Sequence, residues 1–563
     1  MPIVGSNILA GASGQAGTTG ADVGTYTGKS LIFNKGSSHK LSKTWSSTET
    51  DLDKFTISVW IKRTTLDSGS TQYWMFGAGS PGESNIRIQA DKITVHLTGS
   101  NYDFTGTRVL RDTSAWYHLV FRYDSDESSA GDRFRCYING ELDTWASSST
   151  IPSGTDNQFL DSGVPMEIGN DASDTHDFDG YMAGLNVIDG ASLAPTSFGE
   201  TSDDTGAWVM KDYSGSHGNN GFYFDFSDAD GGTVTDNSAN SNTFTANNYS
   251  SDVDASYTAD TPVNNFCTWN VNDNDGSTIS KGSLLATGVG SNWDDTRGTM
   301  AFPTSGKWYF EVKASPNAEN TWIGGIQETG FPVSGQYWYH SSDFTAAARG
   351  RVYGVMDVNH RVTNGSETAM TLAIAAGDII GFKVDLDDNE LGITVDGSDK
   401  GKAFDITNDC FFLPSVSLHS SSAAIFNFGQ DSTFNGTEQA TSNADGNGYG
   451  TFHSSVPSGY LSLCQANLPT PSIGTTDSNR GTDYVNVVLY TGNGTAIGSG
   501  GNAITGVGFS PDFVTIRARN GSGQNNMNFD SVRGVTKRLY WDGDGAEATD
   551  TETLTAFGAD GFT

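Results

Sequence analysis

The chain has 563 residues, with 31 Lys+Arg against 66 Asp+Glu and a formal net charge of −35. That length suffices for roughly three or four domains with their own cores, and so acidic a surface repels nucleic-acid phosphates and anionic headgroups, which argues against both as partners. The 69 glycines follow no Gly-X-Y period, which excludes collagen, and no apolar run approaches the ~20 residues of a membrane-crossing helix.

Residues 1–28 hold seven glycines, one acid (Asp22) and no Lys or Arg. Such a stretch buries too little apolar surface to fold alone, so it is read as an anchoring arm ordered by a partner. It lacks the basic and long apolar regions of a secretory signal, so synthesis in the cytoplasm is expected. The four cysteines (Cys136, Cys267, Cys410, Cys464) show no C-x-x-C spacing and are read as buried thiols.

Strand follows strand from Leu31 to about Gly190. Phe55, Ile57, Val59 and Ile61 alternate onto one face. Trp116–Tyr123 and Phe134–Ile138 follow, and Asn139-Gly140 supplies the positive-φ pair of a tight hairpin leading into Glu141-Leu142-Asp143. Short strands, regular turns and almost no helical period point to an all-β chain of sandwiches. Trp116-Tyr117-His118, the Asn139-Gly140 turn and Asp179–Leu185 together resemble the concanavalin A-like jelly roll, in its laminin-G and pentraxin-like branch.

Residues 213–280 contain nine aspartates with no glutamate, Lys or Arg, and read mostly as irregular connector with one paired strand at Phe222–Phe226. Aromatics recur through it, so it is expected to lie along a neighbouring domain. A second set of strands follows, and Gly306–Val312, Trp322–Ile326, Gly377–Gly381 with Asp385-Leu386-Asp387, Leu413–Val416 and Phe426–Gly429 resemble a SPRY domain. After Leu468–Ser472, the strand-like Tyr484–Tyr490, Gly506–Ile516 and Phe529–Gly534 resemble a β-rich module of marine bacteriophage tail proteins.

The expected organisation is an arm at 1–28, a concanavalin A-like sandwich at 29–200, an Asp-rich connector at 201–263, a SPRY-like sandwich at 264–466, a linker at 467–482 and a β-rich module at 483–563. That module stops on what reads as the start of another strand, so a longer natural chain is expected.

Catalytic signals are weak. Laminarinase-type jelly rolls carry Glu-x-Asp-x-x-Glu, with nucleophile and acid/base on one strand face. Here Glu141-Leu142-Asp143 continues into Thr144-Trp145-Ala146, so the second glutamate is missing. Glu547 to Glu552 has the wrong spacing. His118 lies in a strand and reads as a packed residue before a base, and no G-x-S-x-G, HExxH or P-loop occurs.

Calcium is offered oxygen ligands by Asp156-Asn157 with Asp161, and by Asp171, Asp174, Asp177 and Asp179. Solvated turns are the preferred reading of both, and no metal or cofactor is assigned. Among aromatics outside expected strands, Trp293 and the run Tyr337-Trp338-Tyr339-His340 stand out as ligand-binding candidates, with packing against the domain's own sheet as the alternative.

The resemblances imply a structural and adhesive component of a bacteriophage virion. The first expectation is a tail fibre or tail-associated protein that is not an enzyme, docks on other virion proteins through the arm, binds a host-surface glycan or protein through sandwich loops, and forms a homo-oligomer. A capsid decoration or head fibre, a cell-surface lectin, and a polysaccharide-degrading enzyme are the alternatives.

Overall fold

The computed structural model describes residues 24–79, 84–97, 102–202, 206–227, 232–249, 256–289, 293–314, 322–330, 351–356, 360–364, 366–370, 372, 374–375, 377–469, 481–495, 499–519, 525–541 and 545–563. Among them there is no α-helix; the regular structure is strands and a few short 3-10 turns.

The first sandwich has two sheets. In one, the order is Glu141–Asp143, Phe134–Ile138, Trp116–Asp124, Lys54–Arg63, Gly180–Asp189, Ser30–Phe33 and Tyr257–Thr258, with Phe222–Phe224 also paired to Gly180–Asp189. The other runs from Trp145–Ser148 through Tyr102–Gly106, Lys92–Leu97, Ser84–Gln89, Gln72–Ala78, Pro165–Ile168, Lys40–Thr44 and Phe244–Asn247 to Thr233–Val234. Phe55, Ile57, Val59 and Ile61 are buried between the sheets with Phe76, Val95, Phe121 and Met166, as the alternation requires.

The stretch expected to be mostly connector is a correction. It supplies Phe222–Phe224, Thr233–Val234, Phe244–Asn247 and Tyr257–Thr258, which extend both sheets. The physical reason is aromatic: Phe222, Phe224 and Phe244 pack on one another and Trp45 meets Phe222 and Phe244, all inside the core. Its acidity has a local use. The Asp236 carboxylate accepts from the N–H groups of Tyr223, Ser238 and Asn242, closing loops that lack ladder partners.

The second sandwich pairs Trp269–Asn274, Trp293–Gly298, Phe412–His419, Trp322–Glu328, Val352–Met356, His360–Thr363 and Ser366–Ala369 in one sheet. The facing sheet runs Thr278–Ser280, Leu285–Thr287, Ala423–Asn427, Lys307–Ala314, Ile379–Asp385, Glu390–Val395 and Ser398–Asp405. Trp269, Phe310, Phe382, Val416 and Phe426 fill the space between them.

Both sandwiches lie in one compact unit. At their junction the fully buried Lys62 ammonium donates to Asp260 Oδ2 (2.7 Å), Asn265 Oδ1 (2.7 Å) and the Phe266 carbonyl (3.1 Å), while the Tyr181 hydroxyl donates to the Gly282 carbonyl. Burial raises the Asp260 carboxyl above its ordinary range against the pull of Lys62. All four cysteines are free thiols; Phe266 and Cys464 form a backbone bridge that brings Cys267 and Cys464 into neighbouring rows.

The second unit holds residues 471–563. It has a small sheet of Phe513–Ile516, Met527–Asp530, Lys537–Tyr540 and Ala548–Thr549, and another of Ile504–Thr505, Gly561–Phe562 and Phe557–Gly558. Tyr484–Tyr490, strand-like in sequence, forms no strand among the described residues.

Candidate functional site

The site grows from the outward row of strand Lys54–Arg63. With Phe55 to Ile61 facing the core, Ser58, Trp60 and Lys62 face the other way. The register sets Trp60 opposite His118 and Lys62 opposite Trp116 on one side, and Ala183 and Tyr181 on the other. Ile32, Trp60, Trp116, Tyr181, Ala183 and Met210 therefore form a second apolar layer on the outer face.

A hairpin of Gly199–Thr201 and Trp208–Met210 lies on this layer. Trp208 wedges between two glycines, since a Cβ on Gly140 or Gly199 would come within 2.5 or 2.6 Å of its ring. The turn is the expected one, with Asn139 and Gly140 at φ of 51° and 79°. Asn139 Oδ1 accepts from the His118 N–H, which stitches the turn to the strand beside it.

His118 is fully buried between Trp60 (4.7 Å, 14°) and Trp208 (6.0 Å, 19°). The Trp208 indole N–H donates to His118 Nδ1 at 2.8 Å, so the ring proton sits on Nε2 and points at Ser58 Oγ, also at 2.8 Å. Burial pushes this imidazole down to about 3. A neutral ring that already donates to the serine cannot take that serine's proton. This Ser–His pair is a packing device that fixes the tilt of Trp208.

Between this hairpin and the Asn139-Gly140 turn lies an open depression of about 450 Å³. Trp60 and Trp116 contribute to its floor, Trp208 and Ala207 to one wall, Asn139 to Glu141 to the other, and Arg108 to the rim. Arg108 pairs with Glu141 at 2.8 Å, with both side chains reaching solvent. Trp116 donates its indole N–H to Asp260 Oδ1 (3.1 Å), whereas the Trp60 Nε1–H is buried with no acceptor. The depression thus offers a partly exposed indole with a cation and an anion side by side. That set suits a neutral polyhydroxylated ligand with an apolar face. Glu141 is the single carboxylate among the described lining residues. Its sequence neighbour Asp143 is buried, accepting from Thr107 Oγ1 (2.9 Å) and the Arg108 N–H (3.2 Å).

The other expected sites fall differently. Trp293 begins strand Trp293–Gly298 instead of lying in a loop; it is 7% exposed with its ring 5.4 Å from His419. Tyr337, Trp338, Tyr339 and His340 lie outside the described residues. In the acidic loop, Asp171 accepts from Thr175 and His176, Asp177 from Gly36 and Asn170, Asp179 from Lys35 and Thr65, and Asp174 pairs with Lys40. Among the described residues no group of three or more His, Cys, Asp or Glu is placed to hold a metal ion.

Residues 35–196 match the concanavalin A-like lectin/glucanases superfamily in its laminin G form, residues 307–431 the SPRY domain, and residues 480–563 a domain of unknown function, DUF7483. The chain therefore carries a concanavalin A-like domain and a SPRY domain in that order. No curated protein matches it. Similar solved structures include the SPRY domain of human HERC1 (16% identity, covering 28% of this chain and 96% of that one, TM-score 0.24). A candidate carbohydrate-binding protein of Bacteroides ovatus (18%, 39% and 58%, 0.27) and a SAP-like pentraxin of Limulus polyphemus (13%, 30% and 78%, 0.23) are also similar.

Proposed function

We propose that this protein is an adhesin that holds a glycan in the depression between Trp208 and the Arg108–Glu141 pair. One observation carries the reading: the depression presents the partly exposed Trp208 indole beside the solvent-reaching Arg108–Glu141 pair. The apolar face of a sugar ring can lie on Trp208 while its hydroxyls pair with the guanidinium and the carboxylate. Hydrolysis by a retaining mechanism needs two carboxyls about 5–5.5 Å apart, and Glu141 is the single carboxylate among the described lining residues, so binding is the reading these residues support. Screening the full chain on a glycan array beside Arg108→Ala and Trp208→Ala tests it. A glycan retained by the wild type and lost by both variants is the expected result; equal retention by all three would sink the assignment.

The setting we propose is the surface of a bacteriophage particle, as a tail fibre or tail-associated protein that attaches to the host. The sequence of 483–563 and the glycine-rich start of the arm, suited to docking on other virion proteins, support this. From Gly24 the arm is held by its own sandwich, where Gly24 bridges to Met210 and the Tyr26 hydroxyl accepts from the Gly184 N–H (3.2 Å). Weak single sites would gain by avidity from several copies on one particle. Immunogold labelling of particles separates tail attachment from a capsid decoration, and absence of label from particles would reject both.

A further inference from the structure

The second unit exposes an apolar stretch, Val485–Tyr490, that joins none of its sheets among the described residues. Tyr484–Tyr490 is held by the Asn486 amide donating to the Val507 carbonyl (2.9 Å) and by Tyr490 against Phe562. Both side chains stay exposed while tethered in this way. Val485, Val487 and Leu489 between and beside them are 74%, 83% and 72% exposed. Among the described residues, the backbone groups of Val488, Leu489 and Tyr490 find no hydrogen-bond partner. Beside this segment, strand Phe513–Ile516 is the open edge of its sheet, and a groove of about 720 Å³ separates the two. Phe513 (50% exposed) stacks on Trp541 (70% exposed) next to it.

We infer that this surface is where two copies of the chain associate, each inserting its Tyr484–Tyr490 segment into the other's groove. Three features select a second copy as the occupant. The segment is nearly palindromic in character. Antiparallel pairing about a two-fold axis at Val487 sets Val487 against Val487, Val485 against Leu489, and Tyr484 against Tyr490, which is the self-complementarity an isologous interface requires. Seating each segment in the other's groove gives the order edge strand, partner segment, own segment, partner edge strand, so every open edge finds a neighbour. Residues 484–490 are also uncharged in a chain of net charge −35, so they form a face on which two copies can approach.

The areas agree. The exposed parts of Tyr484, Val485, Val487, Leu489, Tyr490, Phe513 and Trp541 amount to roughly 750 Å², close to the ~800 Å² each partner gives a standard interface and above the ~300–600 Å² of a typical monomer's largest patch.

Analytical ultracentrifugation of the full chain tests this with Val487→Asp. The position is on the surface, and two opposed carboxylates in a groove lined by apolar residues together with Asp483, Asp512, Arg517 and Arg519 should weaken association at least about 100-fold, with an unchanged melting curve at concentrations where the wild type is dissociated. Cysteine pairs read the register independently, in a Cys410→Ser background to remove the one half-exposed thiol. Directly opposed residues lie within disulfide reach, so Val487→Cys should cross-link with itself. Val485→Cys alone should not, while Val485→Cys with Leu489→Cys should. A monomeric wild type, association untouched by Val487→Asp, or failure of Val487→Cys to cross-link would each overturn the proposal. None of these outcomes bears on glycan binding, which rests on the other unit.

Discussion

Replacing His118 by glutamine should make the protein less sensitive to acid. In the native chain the imidazole is held neutral, pushed from 6.5 to about 3 by burial. The unfolded chain therefore binds a proton here that the folded chain refuses, and stability from this group is lost as pH falls below 6.5. Each pH unit costs up to about 1.4 kcal/mol, and integrating between about pH 7 and about pH 5 gives a loss of about 2 kcal/mol. Glutamine does not titrate, so that component disappears. The variant carries a separate penalty that does not depend on pH. Its amide can donate to Ser58 but leaves the Trp208 N–H without its acceptor, a cost of about 1–3 kcal/mol. His39, likewise pushed down to about 4 by burial, is present in both proteins and cancels in the difference. Urea unfolding followed by tryptophan fluorescence should show His118→Gln weaker than wild type at neutral pH, with the gap narrowing by about 2 kcal/mol at about pH 5. A gap of constant size at both pH values would refute the argument, because it would mean that His118 is already protonated in the fold or never buried.

Other consequences follow from the same contacts. Lys62→Met strands the buried Asp260 carboxylate and should cost about 3–5 kcal/mol; adding Asp260→Asn should recover part of it, and no recovery in the melting temperature would deny the pair its role at the sandwich junction. Gly140→Ala places a methyl 2.5 Å from the Trp208 ring at a φ of 79°, so it should displace that indole and abolish glycan retention while the chain stays folded. Retention at wild-type strength would show that Trp208 does not shape the site. The aspartates of the loop from Asp171 to Asp179 are occupied by protein donors, so excess calcium or chelator should move the melting temperature by less than about 1 °C; a clear calcium-dependent rise would reinstate a metal there.

What was legible in the sequence was periodic. The alternation of Phe55, Ile57, Val59 and Ile61 fixed the core face, and the Asn139-Gly140 pair announced its turn. Read to its end, the same alternation assigns Trp60 and Lys62 to the outward face, where a tryptophan and a lysine call for a cover; that was the available signal for the site. Trp208 carried no such signal, because its place depends on a hairpin folding back on strands nearly a hundred residues earlier. Arg108 met Glu141 only through the pairing of Trp145–Ser148 with Tyr102–Gly106, a long-range register that local pattern cannot supply. The Asp-rich stretch misled for a related reason. Its Phe222, Phe224 and Phe244 are strand signals spread thinly among loop residues, and only the core they enter makes them cohere. Trp293 is followed by Asp294 and Asp295, which break any apolar alternation, yet it starts a strand.

The depression beside Trp208 is the proposed ligand site of the first sandwich. A crystal structure of the full chain soaked with the best oligosaccharide from the array tests it most directly. The expected result is a sugar ring against Trp208 with hydroxyls on Arg108 and Glu141. A sugar seated elsewhere, such as beside Trp293 in the second sandwich, with this depression empty, would contradict it.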